Sequence, residues 1–403
     1  MTGVPSSDRR TSTWLIILGI VLVSLNLRPA IVSVAPLLDV IRTSLELSSA
    51  AVSLLTTVPV MLIGVFALSV PLVVSRLGYG GGVRLGVVLI GLGTAARLGG
   101  ELLSVLLVTT LLVGIGIGIT QALLPPIVKL YFPERVAFGT GLYTVSLTVG
   151  ATLASGTTVP LERVLDSWPG ALAVWAVLAG MALLAWRPVR RGLTRNPPPS
   201  NASATSHPTR SQGLWRHPFV WTLTLFYVFN TALYYSMLTW LPPRYIALGW
   251  SETAAGLILT VFIVAGLGGM LLITIAGDRT ADRRHWLGPV IALALVGTVG
   301  VTAVPDVAPW FWAASLGFGV GAWFTLMLML PVDYTASSEA TSRLSAVAIA
   351  GGYVIGGAAP FAVGLLRDLY GGFTVPFGGL TAFIVLALVL SVRFRPDRNP
   401  GLG

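Results

Sequence analysis

Cysteine is absent from the 403-residue chain, so it holds no disulfide framework, thiolate metal site or cysteine nucleophile. Charge is scarce as well. Asp, Glu, Lys and Arg together make up 10% of the residues, against roughly 25% in a globular protein. Histidine occurs only as His207, His217 and His285, all outside the apolar runs, and no Asp or Glu lies well inside one. Hydrolytic or metal-assisted chemistry needs paired carboxylates, an activated nucleophile or a metal cluster. None assembles here, so neither an enzyme nor a cofactor is expected. What is abundant is apolar: 55% of the residues, with a mean hydropathy of +0.85. That excludes a soluble or disordered chain. The runs are long rather than ten-residue alternating segments, which excludes a membrane β-barrel.

Runs broken by charge or turn clusters predict twelve spanning helices, at about 14–38, 48–74, 84–100, 103–129, 137–160, 169–186, 218–241, 252–276, 286–304, 308–332, 343–366 and 373–392. An even number of spans puts both termini on one side. Most of the 25 Lys and Arg fall in the loops of that side, so both termini are expected in the cytoplasm. The net charge of +10 then reports topology, and no nucleic-acid partner is expected; the partners are the lipid bilayer and a small-molecule substrate. The one long loop, around Asn196-Pro197-Pro198-Pro199-Ser200, reads as a linker. It divides the chain into a first six-helix half (1–186), a cytoplasmic linker (187–217) and a second half (218–403). Asn26 recurs as Asn230, Thr56 as Thr260, Gly64 as Gly268, and Gly114-x-Gly116-x-Gly118 as Gly317-x-Gly319-x-Gly321. The fold expected is therefore two pseudo-symmetric halves, as in secondary transporters. The glycine runs follow no strand and lack the P-loop Lys-Ser/Thr; they read as close-approach surfaces between helices.

Arg28 is the one cation deep in a span. It lies fourteen residues after Trp14, ~21 Å along a helix rising 1.5 Å per residue, next to Pro29, which removes a backbone donor. A guanidinium at that depth faces a cavity or a partner. Two readings stand: a fork awaiting an anionic or polar substrate, or a donor pinning the carbonyls of a broken helix. Arg97, in the outer half of the third span, is expected to snorkel outward or approach Glu101. Asn26, Gln121 and Asn230 are candidate hydrogen-bonding partners of the substrate, and Tyr143, Tyr234, Trp323, Phe324 and Tyr353 candidate walls of its site. Lys129 and Arg135 are candidate residues of the cytoplasmic gate, with solvated loop charge as the alternative. Trp240 and Trp310, near span ends, read as interfacial-belt residues.

With these residues in view, the chain resembles the major facilitator superfamily. The superfamily's loop between helices 2 and 3 has as its counterpart Pro71-Leu-Val-Val-Ser75-Arg76-Leu77-Gly78, where Arg76 and Gly78 match but the usual Asp is Ser75. Asp278-Arg279 is a partial match in the second half. The chain is more closely similar to the cyanate and 2-nitroimidazole transporter family. That likeness rests on Asn26-Leu27-Arg28-Pro29 with Ser33-Val34-x-Pro36-Leu37, and on Leu124-Pro125-x-x-Val128-Lys129-x-x-Phe132-Pro133 with Thr140-Gly141-Leu142-Tyr143. Tyr234-Tyr235, Trp240-Leu241-Pro242 and Gly352-Tyr353 agree as well. The resemblance implies a monomeric carrier of the bacterial inner membrane, moving a small planar, often anionic solute by alternating access. An exporter of drug-like or amphipathic compounds and a non-transporting ligand sensor are the competing readings.

Overall fold

The structure, a computed structural model, describes residues 6–67, 69–132, 135–195, 217–276, 284–335 and 338–394. Most of the linker at 187–217, Pro133, His207 and the Asp278-Arg279 pair lie outside the described residues. The expected spans appear as α1 (Ser6–Leu25), α2 (Ser49–Ala67), α3 (Val70–Ala95), α4 (Leu103–Tyr131), α5 (Val136–Leu165) and α6 (Ala176–Arg195). They continue as α7 (Pro218–Ile246), α8 (Glu252–Ala276), α9 (Arg284–Ala303), α10 (Pro309–Asp333), α11 (Ser338–Gly351) and α12 (Thr374–Ser391). Among the described residues, ten of the spans are apolar enough to cross a bilayer on composition and length. The other two, α5 and α7, are as long, at 30 and 29 residues. Threonine, serine and glycine dilute the first; tyrosine, tryptophan and proline dilute the second.

Proline sets the breaks. The first span stops at Leu25, turns through 26–28 and restarts as Pro29–Val32, because Pro29 has no N–H to carry the ladder onward. Pro36 opens the single turn Ala35–Leu37, and Leu38–Ser44 completes the span. In the eleventh span α11 passes into a π turn, Gly352–Gly356, before Ala359–Tyr370 resumes with Pro360 in its first turn. The loop expected between the second and third spans is instead helical: α2 stops at Ala67 and α3 already starts at Val70, with Pro71 in its first turn, and bends at Gly78, whose φ is +67°.

Packing groups the chain into two compact units: Met1–Ser33 with Val65–Ala204, and Val34–Gly64 with Thr205–Gly403. The glycine runs do in each unit what their sequence suggested. In the first, a β-carbon at Gly116 of α4 would stand 2.5 Å from the Gly86 carbonyl of α3. In the second, one at Gly319 of α10 would stand 2.7 Å from the Val290 carbonyl of α9. Only the missing side chains let these backbones meet.

The segment 34–64 is held within the second unit by polar contacts along α2. At its start, the Asp368 carboxylate accepts from the amides of Ser49 and Ala50, both at 2.9 Å. Further along, Thr239 of α7 donates to Thr56 at 2.9 Å, both side chains buried. Near its end Gly64 packs against Tyr353, whose Cβ would be 2.9 Å from an added one.

Candidate functional site

In the first unit Asn26 and Arg28 lie at the break in the first span. Arg28 caps the short helix Pro29–Val32 with its backbone and is buried at 7% exposure, although its side chain carries charge. Its carbonyl accepts from the amides of Ile31 and Val32, both at 3.0 Å, so the turn that presents the guanidinium is a closed one. Helix α5 packs directly on the break: a β-carbon at Gly150 would collide with the Leu25 carbonyl. Tyr143, half-buried, lies two turns before Gly150 on that same helix. Asn26 is buried at 2%, and its Nδ2 meets no hydrogen-bonding partner among the described residues. The Oε1 of Gln121, on α4, is in the same condition. A buried amide with an unused donor or acceptor keeps recognition capacity to spare, which fits both residues to a binding role.

Arg97 departs from expectation. It neither snorkels nor approaches Glu101. It is fully buried, and its Nη1 donates to the Ala30 carbonyl at 2.6 Å. Arg97 thus pins the broken first helix, a role considered above for Arg28. Its Nε and Nη2 have no hydrogen-bond partner among the described residues. The backbone explains the change: α3 ends at Ala95 in the tight turn Ala96–Gly99, which brings the side chain inward rather than along the helix surface.

The candidate residues of the second unit divide into a polar tie and an aromatic cluster. Asn230 spends its Nδ2 on the Val320 carbonyl of α10 at 3.1 Å, joining two helices. Tyr234 meets Tyr235 edge-on and Phe262 at a tilt, with ring centroids at 5.0 and 5.7 Å, and Tyr235 lies 6.1 Å from Tyr353. Phe324 is half-buried beside Trp323 in sequence. Trp323 itself is completely buried, edge-on to Phe226 at 5.1 Å, so it packs the interior of the unit rather than lining an open wall. Trp240 is not an interfacial residue either. It is fully buried, its indole donates to the Pro360 carbonyl at 2.8 Å, and Arg367 lies 5.3 Å over its ring. Helix α7 runs on to Ile246 through Pro242 and Pro243, so Trp240 falls well short of its end. Trp310 is 44% exposed and pairs with Trp250 at 5.7 Å. Lys129 and Arg135 are both exposed, on either side of the turn between α4 and α5.

One cluster escaped the sequence. Asp39 receives Arg42 at 3.2 Å and Arg367 at 3.4 Å, while Arg367 also lies 4.6 Å over Phe373. With the Asp368 cap, these contacts fasten the ends of the first and second spans to the end of the eleventh. The only signal in the letters was an acid and a base at each of two span ends on the same side.

Residues 15–360 match the sequence profile of the Major Facilitator Superfamily. The cyanate transport protein of Escherichia coli (strain K12) is 32% identical over 388 residues, covering 96% of this chain and 98% of that protein. The 2-nitroimidazole transporter of the same strain is 33% identical over 389 residues, 95% of this chain and 96% of that one. Among solved structures, a bacterial homolog of the human lysosomal transporter Spinster, inward-facing and unoccupied, aligns with a TM-score of 0.73. It does so at 17% identity over 98% of this chain and 99% of that chain.

Proposed function

Since the chain belongs to the Major Facilitator Superfamily and is accordingly a secondary transporter that handles small solutes by alternating access, we propose that its solute is a small planar anion or oxygen-bearing molecule of the cyanate or 2-nitroimidazole kind, held by Arg28. The protein is a multi-pass protein of the bacterial inner membrane. The observation that carries the proposal is a charged fork buried at a helix break, in a turn closed by its own backbone. A guanidinium offers paired N–H donors in one plane, which suits either an anionic charge or two coplanar oxygens. Asn26 and Gln121 supply the adjoining donor and acceptor, with Tyr143 as a flat neighbour. In the second unit Tyr234 and Tyr353 are the proposed walls and Phe324 an adjoining one. Asn230 and Trp323 serve the site by holding α7 and α10 in place. Lys129 and Arg135 belong to the cytoplasmic gate of a monomeric carrier whose two termini face the cytoplasm, and whose halves are 1–186 and 218–403.

Arg97 supplies the donor to the Ala30 carbonyl just past the break, so the turn that carries Arg28 is held by a second residue. The test is uptake of labelled cyanate into proteoliposomes. Arg28→Ala should abolish uptake, and Arg28→Lys should retain a small part of it, since charge survives while the fork does not. Both variants should elute as folded monomers in detergent. Full uptake by folded Arg28→Ala protein would overturn the proposal. The second reading, export of drug-like or amphipathic compounds, is favoured by the aromatic cluster of Tyr234, Tyr235 and Phe262; it predicts flux of hydrophobic solutes that survives loss of Arg28.

A further inference from the structure

Helices α3 and α6 of the first unit border an open cavity of about 310 Å³, with its arginines exposed, that the transport reading does not use. Arg84 and Val88 line it from α3. Leu183, Trp186 and three arginines, Arg187, Arg190 and Arg191, line it from α6. We infer that this cavity is a binding site for an anionic phospholipid, with the arginines on the phosphate and the apolar floor under the acyl chain.

Two features of the cavity point there. Among the described residues its lining carries four guanidiniums and no carboxylate. Arg187, Arg190 and Arg191 stand at the i, i+3, i+4 spacing that puts them on one helical face and concentrates positive charge there. The second feature is a gradient of polarity. In α3, Val88 follows Arg84 by one turn; in α6, Leu183 precedes Arg187 by one turn. As the chain enters the bilayer along α3 and leaves it along α6, both apolar residues lie on the deeper side of their arginines. Trp186 closes the floor, buried to 1% and fixed by its indole donating to the Gly80 carbonyl at 3.0 Å. Arg191 is the last residue of the apolar span Trp168–Arg191, so the arginines lie at the level of lipid headgroups. A free phosphate would need the cations alone; a lipid uses cations and floor together. Basic pockets between spanning helices at the headgroup level recognise anionic headgroups in this way, and Arg holds phosphate by two donors at once.

Native mass spectrometry of the full chain in detergent tests the inference, titrated with dioleoyl phosphatidylcholine, dioleoyl phosphatidylglycerol, tetraoleoyl cardiolipin or inorganic phosphate. Phosphatidylglycerol and cardiolipin should bind at least tenfold more tightly than phosphatidylcholine. The triple variant Arg187→Gln, Arg190→Gln, Arg191→Gln should erase that preference, and Arg84→Gln should weaken it severalfold. Arg76→Gln, an exposed arginine on the far side of the Gly78 kink, should leave it unchanged. Leu183→Gln should weaken both anionic lipids, which a site for free phosphate would not feel. Should the triple variant fail to fold, Arg84→Gln and Leu183→Gln carry the test. Equal binding of charged and zwitterionic lipid, insensitivity to all the lining variants, or displacement of lipid by inorganic phosphate at millimolar concentration would each overturn it.

Discussion

Replacing Asp368 by alanine removes the carboxylate that accepts from the amides of Ser49 and Ala50 at 2.9 Å each. These amides belong to the first turn of α2, where the helix itself provides no partner. Losing such a cap costs ~0.5–2 kcal/mol. Solvent reaches Asp368, so screening argues for the middle of that range, about 1 kcal/mol. At 1.4 kcal/mol per tenfold, this is roughly a fivefold change in an equilibrium. If this contact parts when this end of the carrier opens, the cost falls on the fastened state alone, since the open state has no bond to lose. Asp368→Ala should therefore raise the open fraction about fivefold. The complete lack of cysteine makes the measurement clean. Ser53 is fully buried, one turn along α2, and among the described residues its hydroxyl donates to the Ala50 carbonyl alone, so Ser53→Cys introduces a single thiol hidden while this end is closed. Its labelling by a membrane-impermeant maleimide should quicken about fivefold in the Asp368→Ala background. Asp368→Asn, which keeps one acceptor oxygen, should give a smaller rise. An unchanged labelling rate in folded, transporting Asp368→Ala protein would refute the role assigned to the cap.

Arg97→Met should lower uptake by tenfold or more while the protein still elutes as a folded species, because the Ala30 carbonyl loses its donor and the turn presenting Arg28 loosens; uptake beside size-exclusion profiles separates the two effects. A double-mutant cycle of Thr56→Val and Thr239→Val, read by thermal unfolding, should return a coupling of ~1 kcal/mol, the usual net worth of one hydrogen bond; additive effects would mean that the pair contributes nothing. Gly116→Ala, with its β-carbon 2.5 Å from the Gly86 carbonyl, should destabilise the first unit by ~1–3 kcal/mol and lower the melting temperature. An unchanged melting temperature would show that α3 and α4 have room to separate.

The spans were legible because each is a run of apolar residues whose ends are marked by charge, and these local signals need no partner. The break at Arg28 was legible for the same reason: Pro29 acts on its own turn. The glycine runs announced close approach through size alone. Arg97 was not legible, because its partner is a backbone carbonyl 67 positions away, and a carbonyl leaves no mark on residue identity. Trp240 misled for a related reason. Pro242 and Pro243 suggested a helix end, yet α7 continues through both, and the indole's partner is another carbonyl, that of Pro360. The fastening of α2 depends on pairs such as Ser49 with Asp368, and hydrophobic periodicity carries no record of which polar ends meet. The arginines around Trp186 were read only for their sign, which indicates a side of the membrane; their arrangement around a cavity requires two helices at once.

The contact between Ser49 and Asp368 also fixes an order of events in biosynthesis. The two residues are 319 positions apart. A ribosome adding ~5–20 residues per second delivers the second roughly 16 to 64 s after the first. Throughout that interval the early segment is threaded into lipid while Asp368, Thr239 and Tyr353 are still untranslated for part or all of the time. The segment is made near the beginning and completed near the end, so a nascent chain truncated before the eleventh span leaves it exposed to quality-control proteases.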